Sequence, residues 1–224
     1  MQLWVGTMGA VVATLLVVLT GPAVARWASG VDVRLPVRVS AATAAVAGFV
    51  VGAQVGLEPA LAAFLVLAVA AALLVGIDLR LHRLPDRLTG WSAVIGLIGL
   101  AVAAMVDGAW TSSGRAVLAG LAYLGTYLLL FLVVRSGLGA GDVKLAGTLG
   151  LHLGWLGWPT LVLGAFAGVL VGGLVSLALL VSRRANLKTR VPFGPSMIAG
   201  ALVAIALGDP SAASLLGWSP APTG

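Results

Sequence analysis

Two aspartates in a strongly apolar chain are the residues best suited to chemistry. Asp142 follows two glycines in the segment Gly139-Ala140-Gly141-Asp142, and Asp78 closes an apolar run. A carboxylate within a membrane costs about 2.5–3.5 kcal/mol on insertion scales, so by default it marks a functional site. Two carboxylates within hydrogen-bonding distance cannot both ionise easily, and they share a proton. Such a pair could activate water and protonate a leaving amine, and would then hydrolyse a peptide bond without a metal ion.

The composition predicts an all-α polytopic membrane protein. Of its 224 residues, 60% are hydrophobic and only 9% are charged, whereas soluble domains carry about 25% charged residues. The net charge of +6 comes from short basic bursts between apolar runs. Membrane loops have this pattern, and no basic stripe interleaved with aromatic residues indicates a nucleic-acid partner. The partner that this composition predicts is the lipid bilayer.

The side chains that usually hold metals are scarce. The chain contains no cysteine, which excludes cysteine-ligated zinc, thiol catalysis and disulfides. Its two histidines, His82 and His152, are far apart in the sequence, which argues against a histidine metal site. His82 lies in a basic loop and is predicted to be solvated, and His152 is predicted to be structural. We therefore expect neither a metal nor a cofactor.

The apolar runs predict about eight transmembrane helices in one membrane-embedded domain. The first run ends at Gly21-Pro22, a polar turn is predicted over 107–114, and a short helix broken by glycines follows Asp142. Pro85 should keep Leu84 out of the helical region and separate two spans. Gly164, Gly168 and Gly172 are predicted to form a helix-packing surface. The predicted spans cover about residues 3–20, 39–56, 60–78, 88–106, 116–134, 142–155, 160–181 and 196–207.

The charges give the spans a direction. If the loop at 26–38 is cytoplasmic, strict alternation also puts the loops near residues 80, 138 and 187 on that side. These loops hold twelve of the thirteen basic residues, and only Arg115 falls on the other side. This asymmetry follows the positive-inside rule and predicts that both termini face outward. It also puts Asp78 and Asp142 at the same cytoplasmic level, where they could pair.

Three segments together resemble a known family. They are Asp78 followed by Leu84-Pro85-Asp86, then Gly139-Ala140-Gly141-Asp142 with Lys144 behind it, then Val191-Pro192-Phe193-Gly194-Pro195. In this order and spacing they resemble the type IV prepilin peptidases, GxGD-type aspartic proteases of the bacterial inner membrane. The resemblance covers about residues 60–208 as a peptidase core, with extra N-terminal spans over 1–59.

The resemblance implies a function and roles for particular residues. Enzymes of this family cut the basic leader from prepilins and pseudopilins at the cytoplasmic membrane face, just before the hydrophobic pilin helix. Asp78 and Asp142 match the two catalytic aspartates. The remaining matches are motif or substrate-shaping positions: Gly139, Gly141, Lys144, Pro85, Asp86, Phe193, Gly194 and Pro195.

One departure from the larger family members predicts a missing activity. Those members insert a cytoplasmic domain after the first span, often with two Cys-x-x-Cys pairs, which N-methylates the new N-terminus. Here the corresponding place holds about a dozen residues, 26–38, and no cysteine. We therefore expect a short form without methyltransferase activity.

Some assignments stay open on the sequence alone. Lys144 could hold Asp142 in its charged form or reach to the phosphate headgroups. Asp86 follows Pro85 at the start of a span, where an N-cap is favoured over a catalytic role.

Other functions for the whole chain also stay open. One is an ion- or proton-coupled transporter or channel that uses Asp78 and Asp142 as carboxylate sites. Against it, both acids are predicted at one membrane face rather than at the midplane, and no inverted repeat is evident. A signal-peptide-peptidase- or presenilin-like GxGD protease is another alternative, although the Leu-Pro-Asp and Pro-Phe-Gly-Pro contexts favour the prepilin group. An inactive scaffold has no support, since both aspartates are present.

Overall fold

The computed structural model describes residues 1–32, 34–133, 139–182 and 193–208, which form eight α-helices and no strand. Six helices are long and apolar enough to cross a membrane, and two, of 17 and 14 residues, are shorter. The prediction of an all-α polytopic membrane protein is confirmed. In chain order the helices are α1 (Gln2–Ser29), α2 (Val37–Val55), α3 (Leu61–Leu81), α4 (Asp86–Asp107), α5 (Trp110–Val133), α6 (Ala140–Leu156), α7 (Trp158–Val181) and α8 (Gly194–Leu207).

Hydrogen bonds between helix ends show which ends share a side of the bundle. Arg87 Nη1 in the first turn of α4 donates to the carbonyl of Trp27 in the last turn of α1, at 3.3 Å. On the opposite side, Gln54 Nε2 near the end of α2 donates to the carbonyl of Ala206 near the end of α8, at 3.1 Å. The end of α3 and the start of α4 therefore lie on the same side as the end of α1. The last predicted basic loop, residues 183–190, lies outside the described residues.

Helix α3 forms the centre of the bundle and carries Asp78. It packs against α1, α2, α4 and α8, and Phe64, Leu73 and Ile77 are almost completely buried along it. Hydrocarbon is as apolar as these side chains, so close packing between helices is what stabilises this arrangement in a membrane. Because α3 is central, its last turn, which contains Asp78, lies among the ends of the neighbouring helices.

The prediction that the first span ends at Gly21-Pro22 is wrong. Helix α1 continues through Pro22 to Ser29 and ends at Gly30, which adopts a left-handed conformation with φ 69°. Proline removes one backbone N–H bond, but neighbouring helices can hold a proline-containing helix together in a membrane. Gly21 faces the side chains of Leu73 and Leu35, so the helix is packed at this point.

Of two further predicted interruptions, one is shorter than expected and the other is absent from the described residues. The polar turn predicted over 107–114 is reduced to Gly108 and Ala109, because α5 begins at Trp110. Helix α6 is continuous rather than broken by its glycines. Three of those glycines are used for packing, since a side chain at Gly147, Gly150 or Gly154 would meet α5. Sequence periodicity alone does not distinguish a glycine that breaks a helix from one that packs it.

The predicted glycine surface of α7 is confirmed. Gly164, Gly168 and Gly172 are buried. A Cβ on Gly168 would lie 3.3 Å from the Cα of Met197, and a Cβ on Gly172 would lie 2.8 Å from Cε2 of Phe193. The glycines therefore allow α8 to lie directly against α7, which fixes where α8 begins.

Candidate active site

Asp78 lies in the last turn of α3 and is only 4% exposed. Its backbone carbonyl accepts the N–H of His82 at 2.8 Å, and His82 ends the helix with φ 49°. The His82 side chain is exposed, as predicted. Asp78 Oδ2 is buried and has no hydrogen-bond partner within the described part of the chain. Buried polar atoms are nearly always paired, so an unpaired carboxylate oxygen indicates a functional role.

Asp142 is the third residue of α6 and stabilises the start of that helix. Its Oδ2 accepts the N–H of Gly139 at 2.9 Å, while its own N–H donates to the carbonyl of Gly139 at 3.0 Å. Gly139 is the N-cap residue in an extended conformation, and it has no side chain with which to cap the helix. The aspartate performs this function from inside the first turn. The bond uses Oδ2 only, and the side chain is 8% exposed.

Leu84 lies between the first turns of α6 and α8. A Cβ on Gly141 would be 2.7 Å from the Cβ of Leu84, and a Cβ on Gly194 would be 3.2 Å from its Cδ1. Both glycines therefore let a helix start approach the same leucine. We call Asp78, Leu84, Gly141, Asp142 and Gly194 the aspartate cluster. The Leu84-Pro85-Asp86 segment belonged to the sequence resemblance, but nothing in the sequence indicated that Leu84 itself joins the two glycine motifs.

The start of α8 faces Asp78. A Cβ on Gly194 would lie 3.1 Å from Asp78 Oδ2, so a larger residue would crowd this oxygen. Pro195 lies in the first turn of α8, where a missing N–H costs nothing. The N–H groups of Ser196 and Met197 both donate to the carbonyl of Phe193, at 3.0 and 3.1 Å. The positive end of the helix dipole thus points toward the carboxylate.

Asp78 and Asp142 lie close enough for their carboxyl groups to interact electrostatically. Tyr127 of α5 also lies within range of Asp142. Tyr127 is 4% exposed, and its ring centroid is 6.3 Å from that of Phe193. Sequence reasoning missed Tyr127, for which the only signal was a tyrosine within an apolar span. The residues of the site therefore come from α3, α5, α6 and α8, and Gly172 of α7 packs against Phe193.

Lys144 forms an ion pair with Asp86. The distance from Lys144 Nζ to Asp86 Oδ1 is 2.8 Å, and the two side chains are 47% and 67% exposed. The pair joins the second turn of α6 to the first residue of α4 at the rim of the site. In the structure Lys144 therefore pairs with Asp86 rather than with Asp142.

The prediction that Asp86 is an N-cap is wrong. The cap position requires an extended backbone, which Pro85 adopts with φ −67° and ψ 123°. Asp86 is therefore the first residue of α4, and it makes no capping hydrogen bond. An acidic residue still interacts favourably with the helix dipole in the first turn. Pro85 separates α3 from α4, as predicted.

The ten site residues predicted from the sequence divide into two groups. Gly141 and Gly194 pack against Leu84, and Asp78 lies beside Gly194. Gly139, Asp142, Phe193 and Pro195 belong to the same two helix starts. Pro85, Asp86 and Lys144 lie at the rim, where they start α4 and connect it to α6. Among the described residues no group of three or more acidic or histidine side chains could hold a metal ion. The groups in this site that could take part in a reaction are the two buried carboxylates of Asp78 and Asp142.

Comparison with known proteins gives the same family as the sequence motifs. The chain is 35% identical over 145 residues to a prepilin leader peptidase/N-methyltransferase of Stutzerimonas stutzeri, covering 62% of this chain and 47% of that protein. It is 33% identical over 166 residues to one of Burkholderia pseudomallei (strain K96243), covering 71% and 51%. The chain thus spans about half the length of the curated relatives it matches. No solved structure matches it.

A family model covers the part of the chain that holds both aspartates. It matches residues 65–177, about half of the chain, and this range contains α3 from its second turn through most of α7. Asp78, Leu84 and Asp142 all lie within it. The chain belongs to the type IV leader peptidase family.

Proposed function

We propose that the protein is a membrane aspartic endopeptidase that removes the leader peptide of prepilins or pseudopilins. The observation that carries the proposal is the meeting of two buried aspartates, Asp78 and Asp142, at neighbouring helix ends around Leu84. Family membership supports the reaction and the substrate class, because the similar proteins are named prepilin leader peptidases.

In the proposed mechanism the aspartates act together without a metal or cofactor. One of them, as carboxylate, takes a proton from water, and the resulting hydroxyl attacks the scissile carbonyl carbon. The other, protonated, donates its proton to the carbonyl oxygen. When the C–N bond of the tetrahedral intermediate breaks, the first aspartate gives the proton it took from water to the leaving amine, and the second regains its proton from the hydroxyl of the intermediate. Asp78 Oδ2, which has no hydrogen-bond partner among the described residues, and Asp142 Oδ1, which does not take part in the bond to Gly139, are the atoms proposed for these steps. Burial in an apolar surrounding strengthens each of these interactions.

The active site is proposed to face the cytoplasm. The support is the charge asymmetry, since basic residues concentrate in the loops on the side of Asp78 and Asp142. The chain has no native cysteine, so single cysteines can report the side of exposed positions. Arg83→Cys should resist an impermeant maleimide added to intact cells, whereas Glu58→Cys on the other side should react. The opposite result would reverse the orientation.

Methyltransferase activity is proposed to be absent. Only residues 30–36 connect α1 to α2, which leaves no room there for an inserted domain, and the chain offers no cysteine pairs. Transfer of a methyl group from S-adenosylmethionine to the cleaved pilin by the purified protein would contradict this part of the proposal.

Cleavage of a prepilin in liposomes tests the main proposal. The substrate should contain the leader and the following hydrophobic helix, and the enzymes compared should be the wild type, Asp78→Asn and Asp142→Asn. Asp107→Asn is the matched control, because Asp107 is an exposed aspartate at the opposite end of the bundle. We expect cleavage by the wild type and the control and none by the other two variants, with all four proteins folded.

Substantial activity in either folded site variant would exclude the two-aspartate mechanism. If the wild type cleaves no prepilin, ion flux through the same liposomes tests the transport alternative. The position of both acids at helix ends on one side argues against that alternative, because transporter sites lie near the membrane midplane.

A further inference from the structure

Arg115 is the exception to the charge asymmetry of this protein. Of the eight basic residues in the described part of the chain, seven belong to segments on the side of the aspartates, whereas Arg115 lies in the second turn of α5 on the opposite side. A single arginine on this side departs from the positive-inside rule, so we expect a local interaction to account for its position. Its side chain is half-buried rather than extended into solvent.

The guanidinium of Arg115 binds the end of α6. Arg115 Nε donates to the carbonyl of Gly154 at 2.7 Å, and its Nη2 donates to the carbonyl of Trp155 at 2.6 Å. Nη2 also donates to Ser112 Oγ at 3.2 Å, which orients the group. The last carbonyls of a helix have no partner within it, and a cation there also interacts favourably with the helix dipole. Charge-assisted bonds of this length are among the stronger ones in proteins.

The remaining contact between α6 and α5 is built around three glycines of α6. A Cβ on Gly147 would lie 3.3 Å from the Cβ of Leu124, and one on Gly150 would lie 2.8 Å from the carbonyl oxygen of Ala119. Near the end of α6, Gly154 faces the side chain of Ala119. Such glycines let the two helix backbones approach closely. The bonds of Arg115 therefore add a polar contact that holds α6 along its axis. Two others are the 3.3 Å contact of His152 Nε2 with the carbonyl of Ala63 on α3 and the exposed Lys144–Asp86 pair.

The same helix carries Asp142 at its other end. Thirteen residues separate Asp142 from Trp155, or about 20 Å at about 1.5 Å per residue. Because α6 is continuous over this length, an axial shift at Trp155 moves Asp142 by a similar amount. Asp78 belongs to α3, and Arg115 makes no hydrogen bond to that helix. Such a shift would change the separation of the two carboxylates.

We propose that Arg115 is a positioning residue, which fixes the axial position of α6 and so sets the separation of Asp142 from Asp78. The proposal rests on the proposed function for its effect on catalysis. Its structural half, the position of the start of α6, can be measured without any substrate.

The test compares Arg115→Gln, Arg115→Lys and a matched control, Arg26→Gln. Arg26 is exposed, and among the described residues its side chain bonds only the carbonyl of Pro22 in its own helix. Spin labels on Arg83→Cys and Ala140→Cys report the distance between the end of α3 and the start of α6, since the chain has no other cysteine. Arg115→Gln should shift or broaden this distance distribution, whereas the control should leave it unchanged.

Kinetics on the folded fraction separate positioning from a purely structural role. In Arg115→Gln we expect kcat to fall about tenfold or more, since misplacements of about 1 Å can cost up to 100-fold, with KM changed less than about twofold. Arg115→Lys keeps the charge but not the planar fork, and should recover part of kcat. If Arg115→Gln does not fold, Arg115→Lys carries the test, with a smaller loss expected.

Either of two results would overturn the proposal. One is a wild-type label distance in Arg115→Gln, or in Arg115→Lys if only that variant folds. The other is a shifted distance with wild-type kcat. If Arg115→Gln lowers the melting temperature but leaves kcat per folded molecule unchanged, Arg115 caps α6 and does not position Asp142. Failure of the proposed function is distinguishable, because wild-type enzyme would then cleave nothing while the label distance would still respond to Arg115.

Discussion

Glycines bring backbones together in two regions of this molecule, to different effect. Where α1 meets α2, Gly9 and Gly48 face each other so closely that a side chain on either would collide with the carbonyl oxygen of the other. In the aspartate cluster, Gly141 and Gly194 face the side chain of Leu84 and the carboxylate of Asp78. The first contact is backbone against backbone, and the second leaves space beside reactive groups.

The difference teaches how to interpret a close glycine. A glycine packed on backbone contributes to stability, because neither partner can move away from an added methyl group. Where a glycine packs beside a functional side chain, the helix can shift to make room for an added methyl group. That shift disturbs the geometry of the reactive groups. We therefore expect substitutions in the α1–α2 contact to lower stability and substitutions in the aspartate cluster to lower activity.

Gly141→Ala should have the largest effect on activity. The added Cβ would lie 2.7 Å from the Cβ of Leu84 and 3.1 Å from its carbonyl oxygen, so the first turn of α6 must shift and carry Asp142 with it. A misplacement of about 1 Å can reduce turnover about 100-fold. The measurement is kcat for prepilin cleavage, with the melting temperature in detergent as the control. Wild-type turnover in folded Gly141→Ala would remove the proposed distinction between the two regions.

Gly48→Ala should show the opposite pattern. The added methyl group meets the backbone of Gly9, and its Cβ would also lie 2.9 Å from the Cβ of Ala13. Overpacking of this kind costs about 1–3 kcal/mol. We expect a clearly lower melting temperature and unchanged kcat per folded molecule. A loss of turnover as large as that of Gly141→Ala, at equal folded concentration, would mean that the α1–α2 contact also positions the site.

Lys144→Ala should have the smallest effect. The ion pair with Asp86 is substantially exposed, and such pairs contribute about 0.2–1 kcal/mol, less at high salt. A double-mutant cycle with Asp86→Ala measures the coupling, and kcat should change less than about threefold, because neither group touches the aspartates' carboxyl oxygens in the structure. A loss of turnover near that of Asp142→Asn would assign Lys144 a direct part in catalysis.

The sequence predicted more of the site than of the helix boundaries. Hydropathy and charge alternation put Asp78 and Asp142 on one side, because each added span reverses the side of the next loop. The boundaries were harder to predict, since Pro22 lies inside α1 and the serines and threonine after Trp110 lie inside α5. Local propensity favours a break at such residues, but packing within a membrane can override it.

By itself, the sequence determined the class of the protein, the number of helices and the two carboxylates on one face, because these depend on hydropathy, charge and motif order along the chain. Only the tertiary structure decided that Leu84 lies between two helix starts, that Lys144 pairs with Asp86, and that Arg115 binds the end of α6. These contacts join residues from different helices. Their partners are set by the axial position and rotation of each helix, which packing between helices determines and sequence spacing does not.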